Sequence, residues 1–307
     1  MEKNDPTQPI EPGYMSQDIT KVPGWHGLVA WDLLFNNLTT GLFLFAAVGE
    51  LAFPELLGPV AKAAYPVALV FLLIDLAMLV LDLGDPLRFH HMLRVFKPSS
   101  PMSLGTWSLT IYSLPLTLIV AIEVAQFIGL LPSGSIALEW VRWLAVVSCL
   151  LPAFGSVAYK GVLFSTCSQP GWKDARWLGG WMANSALMLG CAELLAISVL
   201  TGHARAAAAL RTVAAVLVVL NLIPTGFVFL EIRETVARIY SDQQIYRALV
   251  FTFVAGTLLP VVLLLVGDGA PSRLGAVLLI LLGGFAVRSL FLKIPHASHE
   301  SRSADQA

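Results

Sequence analysis

Long apolar runs alternate with short polar stretches along almost the whole chain of 307 residues. A helix of about 20 apolar residues crosses the roughly 30 Å hydrocarbon core of a bilayer. Runs of this length occur at 27–50, 59–81, 105–128, 141–163, 180–201, 208–230, 247–267 and 273–292. The pattern predicts an all-α integral membrane protein with eight transmembrane helices and both termini on the same side.

Composition agrees with this prediction, because 57% of the residues are hydrophobic, 13% are charged and the mean hydropathy is +0.76. Residues 1–25 contain acids and prolines without an apolar centre, so we expect an extramembrane segment and no cleavable signal. The loops are too short for a separate soluble domain. Membrane lipid is the expected surrounding, and no nucleic-acid partner is expected.

The cysteines and histidines bear on redox chemistry. Three cysteines occur singly, without CxxC spacing, at Cys149, Cys167 and Cys191. No predicted helix has a histidine in its interior, where a membrane haem would need axial ligands. We therefore expect no haem, no iron–sulfur cluster and no metal site in this chain.

Acidic residues inside membrane helices are costly and indicate function. They fall inside or at the ends of the predicted helices, at Asp32, Glu50, Asp75, Asp82, Glu123 and Glu193. Asp75 and Asp82 are seven residues apart and share one face of the second helix. From Asp82 through Asp75 to Glu50, Glu123 and Glu193, the acids descend across the membrane as a proton route requires. The alternative is that they are neutral, hydrogen-bonded contacts between helices.

Basic residues are unequally divided between the two sides. The side of the termini holds Lys3, Lys21, Arg88, Arg94, Lys97, Lys173, Arg176, Arg233, Arg238, Lys293 and Arg302. The other side has little beyond Lys62, Arg205, Arg211 and Arg273. The positive-inside rule therefore predicts cytoplasmic termini, although a basic surface that docks a partner would give the same bias.

The polar stretch between the second and third helices carries the most specific signal. Its sequence DLGDPLRFHHMLRVFKPSSPMSLGTW, from Asp82 to Trp107, resembles the signature of the NrfD/PsrC family. A second match is YKGVLFSTCSQPGW, from Tyr159 to Trp172, and weaker similarity covers nearly the whole chain.

The resemblance implies a haem-free membrane subunit of a prokaryotic respiratory oxidoreductase in the inner (cytoplasmic) membrane, of the kind used in anaerobic respiration. It implies two four-helix bundles, at 26–165 with the quinone site and at 166–293, followed by a polar tail at 294–307. It also implies a substrate quinone, menaquinone or ubiquinone, and two partners. One partner is an iron–sulfur subunit of the ferredoxin-like, four-cluster type, and the other is a catalytic subunit with a molybdopterin cofactor.

Quinone reduction needs an apolar slot, hydrogen-bond donors to the carbonyl oxygens and a proton source. The candidates for this site are Tyr159, His26, Asp32, Asp82, Arg88 and His91. Tyr159 matches a family tyrosine that resembles a direct quinone ligand. The chain departs from the family twice, with Asp32 where one branch has a histidine and with Lys160 where threonine is usual.

Two other function classes stay open at this point. A proton-coupled transporter or channel would also place carboxylates inside a helical bundle, but it would usually have paired Gly/Pro interruptions in both halves, and none stands out. A purely structural membrane anchor with a degenerate site would keep the family pattern without quinone chemistry.

Overall fold

The computed structural model describes residues 23–25 and 27–305, and in these the chain is helical without strands. Eight helices are long and apolar enough to cross a membrane. They are α1 (Gly27–Ala52), α2 (Pro54–Leu81), α3 (Pro101–Phe127), α4 (Ile136–Ser165), α5 (Leu178–Leu200), α6 (Ala204–Ile239), α7 (Asp242–Leu265) and α8 (Gly269–Asp305). The prediction of eight membrane helices is confirmed.

Several predicted helix starts were wrong by a few residues, because polar first turns were read as loop. α2 begins at Pro54 and α3 at Pro101, and proline suits the first helical position since its missing N–H would have no partner there. The Ser100 hydroxyl caps α3 by accepting a hydrogen bond from the Ser103 amide at 3.4 Å. These polar turns lengthen the helices beyond their apolar cores.

Two membrane helices are locally irregular near a proline. In α6 the regular helix breaks at Asn221, three residues before Pro224. In α7 a π-helical turn, Val254–Leu258, precedes Pro260. Since proline has no amide hydrogen to donate, the backbone adjusts at the turn before it.

α1 lies at the centre of the molecule and packs against α2, α4, α5 and α8. It is the most buried of the eight helices. α1 and α5 approach each other closely at Gly41 and Gly190, where a side chain on either residue would overlap the backbone of the other helix. Small residues at such crossings are typical of membrane helix pairs.

The segment between α2 and α3 lies at the surface. It contains a 3-10 helix, Pro86–Leu93, none of whose residues is buried. We call the end of the molecule formed by this segment, the starts of α1 and α3 and the ends of α2 and α4 the pocket end. The other side of the membrane helices is the opposite end.

Candidate functional site

A cavity of about 420 Å³ opens at the pocket end between α1, α2, α3 and α4. Most of its wall is apolar, and leucines, methionines and aromatic rings supply that part. Its polar and titratable side chains are Asp32, Asp82, Thr106, Thr110, Ser113, Tyr159 and Lys160. An apolar slot with a few convergent polar groups is the usual form of a small-molecule site.

Tyr159 lies on the cavity wall near the end of α4 and is 8% exposed. Its ring lies directly against the backbone of α3 at Gly105, where any added Cβ would overlap the ring. The glycine of α3 therefore creates the space that the tyrosine occupies. Two of the motifs that carry the family resemblance meet at this contact.

Next to Tyr159, Lys160 lies between two carboxyl groups. Its Nζ is 2.8 Å from Oδ1 of Asp32 on α1 and 3.1 Å from Oδ1 of Asp75 on α2. The lysine also donates to the Asp32 backbone carbonyl at 3.2 Å. Asp32 and Lys160 border the cavity, whereas Asp75 lies behind them and is fully buried. We call Asp32, Lys160 and Asp75 the charged triad.

Polar contacts continue from the triad along α1. The Asn36 amide donates to Oδ2 of Asp75 at 3.1 Å and to the Ser156 hydroxyl at 3.0 Å. One turn further, the Thr39 hydroxyl lies 2.9 Å from the phenol oxygen of Tyr112. All of these side chains are buried. Buried polar side chains therefore extend from the triad to the middle of α1.

A second charged cluster lies towards the opposite end, around Arg142 of α4. Its guanidinium forms an ion pair with Glu50 and lies 3.7 Å from Oε1 of Glu123 and 3.4 Å from Oε2 of Glu139. The Tyr65 phenol donates to Glu50 at 2.6 Å. The Glu139 side chain is 43% exposed, so the cluster reaches the surface.

Phe43 of α1 separates the two polar regions. Its ring centroid is 5.4 Å from that of Tyr112 and 5.7 Å from that of Tyr65. Both phenols therefore pack against one apolar ring, with Tyr112 bonded to Thr39 and Tyr65 to Glu50.

The structure distributes the predicted site residues unevenly. Tyr159, Asp32 and Asp82 meet at the cavity. Arg88 lies on the exposed segment and pairs with Asp85 at 3.0 Å, and His91 is exposed there too, so neither lines the cavity. His26 lies outside the described residues.

The predicted proton-transfer acids fall into three environments. Asp75 belongs to the triad, and Asp82 borders the cavity. Glu50 and Glu123 share Arg142. Glu193 of α5 is buried, and both of its carboxyl oxygens lack a hydrogen-bond partner in the described part of the chain. The predicted acids are thus divided among the triad and cavity, the Arg142 cluster and the buried site of Glu193.

Two important cations were not recognised as site residues from the sequence. Lys160 stood out only as a departure from the family pattern, and Arg142 lies near the start of a long apolar run. A lysine or arginine buried in a membrane helix is usually paired with a carboxylate. This rule could have linked Lys160 and Arg142 to acidic residues on other helices. Which acids each cation meets depends on tertiary packing.

A second cavity, of about 380 Å³, lies between α6, α7 and α8. It is lined largely by apolar residues, and none of the predicted site residues borders it. Among the described residues, no group of three or more His, Cys, Asp or Glu side chains is arranged to hold a metal ion. The pocket-end cavity is therefore the candidate site.

A family model of the NrfD type, described as polysulfide reductase, matches residues 22–300. The match covers all eight membrane helices. Comparison with curated proteins gives no match.

Proposed function

Because the chain belongs to the NrfD polysulfide reductase family, whose members are membrane subunits of redox enzyme complexes, we propose that it is the quinone-reacting subunit of a respiratory oxidoreductase. In this proposal it exchanges electrons between an iron–sulfur partner subunit and membrane quinone, menaquinone or ubiquinone. A catalytic subunit, with a molybdopterin cofactor, would complete the complex. The main observation that supports the proposal is the cavity at the pocket end.

The chemistry of the cavity suits a quinone. Its apolar wall would hold the ring and the start of the isoprenoid tail, and the phenol of Tyr159 can donate a hydrogen bond to a carbonyl oxygen. Quinone reduction also consumes protons, and titratable groups border the same space at Asp32, Asp82 and Lys160. No residue of the cavity needs to carry electrons itself if a partner supplies them nearby.

The exposed segment between α2 and α3 supports a partner at the pocket end. Leu87 is 85% exposed and Val95 is 70% exposed, next to the bases Arg88, Arg94 and Lys97. Exposed apolar side chains among cations are typical of a protein interface. A partner docked there would bring its electron carrier next to the cavity.

The first test removes the Tyr159 hydroxyl. Tyr159→Phe keeps the ring against Gly105 and loses the hydrogen-bond donor, so we expect quinone-linked turnover to fall about tenfold or more. Activity with artificial electron carriers, which bypass the membrane subunit, should be unchanged. Both are measured on the purified complex.

The matched control is Tyr246→Phe, which removes the same hydroxyl from an exposed tyrosine of α7 outside the cavity. This variant should behave as wild type. If Tyr159→Phe also leaves quinone kinetics unchanged and the complex retains no quinone, the chain is a structural anchor and the proposal is wrong.

The arrangement in the membrane is part of the proposal. We propose two four-helix bundles, 26–165 and 166–293, in a prokaryotic inner membrane with both termini in the cytoplasm. The even number of membrane helices and the excess of bases on the side of the termini support it. A cytoplasm-dependent reporter fused after Ala307 should be active, whereas one inserted at Gly202, between α5 and α6, should be inactive. The reverse result would place the pocket end outside the cytoplasm.

We also propose that protons reach the cavity from the opposite end, by way of the Arg142 cluster and the polar contacts of α1. Glu123→Gln removes a titrating group beside Arg142 and preserves its size, so we expect a lower proton-to-electron ratio in sealed vesicles. The control Glu55→Gln changes an exposed acid at the start of α2. An unchanged ratio in Glu123→Gln would mean that protons enter from the pocket end.

A further inference from the structure

The charged triad is not balanced in charge. It contains two carboxyl groups and one ammonium group, all in direct contact and all within membrane helices. Asp75 is fully buried, Lys160 is 3% exposed and Asp32 is 6% exposed. If all three were ionised, the site would carry one negative charge without a counter-ion. Such a charge is costly in a medium of low dielectric constant.

The neighbours of the triad do not supply the missing positive charge. In the part of the chain that the structure describes, the polar side chains next to it are those of Asn36, Ser156 and Tyr159, and all are neutral. Among the described residues, the buried arginines are Arg142 and Arg288. Arg142 forms an ion pair with Glu50, and Arg288 donates to Ser185 and lies over the ring of Trp181. The site is therefore balanced when one carboxyl group holds a proton.

Both carboxyl groups contact the same ammonium group. Nζ of Lys160 is 2.8 Å from Oδ1 of Asp32 and 3.1 Å from Oδ1 of Asp75, and the Asn36 amide donates to Oδ2 of Asp75 at 3.1 Å. The balancing proton therefore belongs to the triad as a unit. Asp32 is the carboxyl group of the triad that borders the cavity, so it is the member that can pass this proton to a bound molecule.

We propose that Asp32 passes the proton of the triad to the quinone, and that Lys160 and Asp75 are positioning residues that hold Asp32 at the cavity. This inference rests on the proposed function. When two electrons from the iron–sulfur partner reduce the quinone, the O–H bond of Asp32 breaks and an O–H bond forms on a quinone oxygen. The second proton follows by the proposed route from the opposite end. Asp32 then takes up a proton again, and quinol oxidation runs the same transfer in reverse.

Infrared spectroscopy of the purified complex tests the charge count without any quinone turnover. A protonated carboxyl group has a C=O stretch apart from the amide and carboxylate bands. The difference spectrum of wild type minus Asp32→Asn should contain one such band, which the variant has lost. The difference spectrum of wild type minus Asp75→Asn should also contain one, because the remaining carboxyl group then balances Lys160 without a proton. Identical protonated-carboxyl bands in wild type and Asp32→Asn would overturn the inference.

Kinetics test the role of Asp32 in transfer. Asp32→Asn should lower quinone-linked kcat about 10²-fold, the usual contribution of a general acid, without changing activity with artificial carriers. Asp75→Asn should lower the same kcat and leave the KM for quinone unchanged, because the remaining carboxyl group then balances Lys160 without a proton. A merely structural role for Asp75 would leave the protonated-carboxyl band in place.

Glu231→Gln is the matched control, since it changes a half-buried acid of α6 that does not border the cavity. It should keep the triad's band and wild-type quinone kinetics. The two proposals can fail separately. If Tyr159→Phe impairs quinone turnover but Asp32→Asn neither loses a band nor slows kcat, only this inference is wrong. If Asp32→Asn loses the band but neither variant affects quinone turnover, the charge count stands and the quinone site is elsewhere.

Discussion

Replacement of Lys160 by methionine is expected to destabilise the folded subunit by about 3 kcal/mol. The methionine fills a similar volume but leaves Asp32 and Asp75 facing each other without a cation. Both carboxyl groups must then be neutral, and each loses the lysine contact. The measurement is the unfolding of the detergent-solubilised subunit by heat or denaturant.

A second substitution should restore much of this loss. In Lys160→Met/Asp75→Asn the fully buried acid is replaced by an amide of the same shape, so the double variant should be more stable than Lys160→Met alone. Lys62→Met is the matched control, because Lys62 is an exposed lysine of α2, and it should have little effect. If the double variant is less stable than Lys160→Met, the three groups do not form one charged unit.

Gly190→Ala is expected to be at least as damaging, and to act through packing. The new Cβ would overlap the backbone of Gly41, and backbone atoms in the centre of a helix cannot move aside as a flexible side chain can. α1 and α5 would have to separate, which loosens the contact at the centre of the molecule. We expect a loss of about 3 kcal/mol or more, with a lower yield of folded subunit in the membrane.

The matched control for this variant is Gly226→Ala in α6, where an added Cβ has no atom within 4 Å. The two changes are chemically identical, and both are inside membrane helices. Gly226→Ala should therefore be neutral or slightly stabilising. Equal stability of the two variants would mean that α1 and α5 are not in close contact at Gly190.

Hydrophobic patterning predicted the eight membrane helices, because spanning a bilayer imposes a length and an apolar composition on each helix. It did not predict helix starts such as Pro54 and Pro101, since the first turn of each helix precedes the apolar run, with proline at the first position of both and a Ser100 cap on α3. Motif similarity also predicted that the candidate site lies at the end of α2, the start of α3 and the end of α4. The cavity lies at those ends.

The side-chain partners could not be predicted in the same way. Lys160 meets Asp32 across 128 positions of sequence, and Arg142 meets Glu50 across 92. These pairings depend on how α1 packs against α4, which local sequence does not determine. The tyrosine candidate could be found from its motif alone, whereas its close contact with Gly105 required the packed helices.

The position of Phe43 has a consequence for the energetics of a charged membrane. From Phe43 to Gly49, α1 carries only apolar residues and glycine, a length of about 10 Å along the helix axis. Water-poor material of this kind is an electrical insulator between two more polarisable regions. A membrane voltage acts on any charge that crosses such a layer, at about 2.3 kcal/mol per elementary charge for every 100 mV that falls across it. A proton that crosses this layer from the opposite end to the cavity would move with a voltage that is negative on the side of the termini, so quinone reduction at the cavity would draw on that voltage.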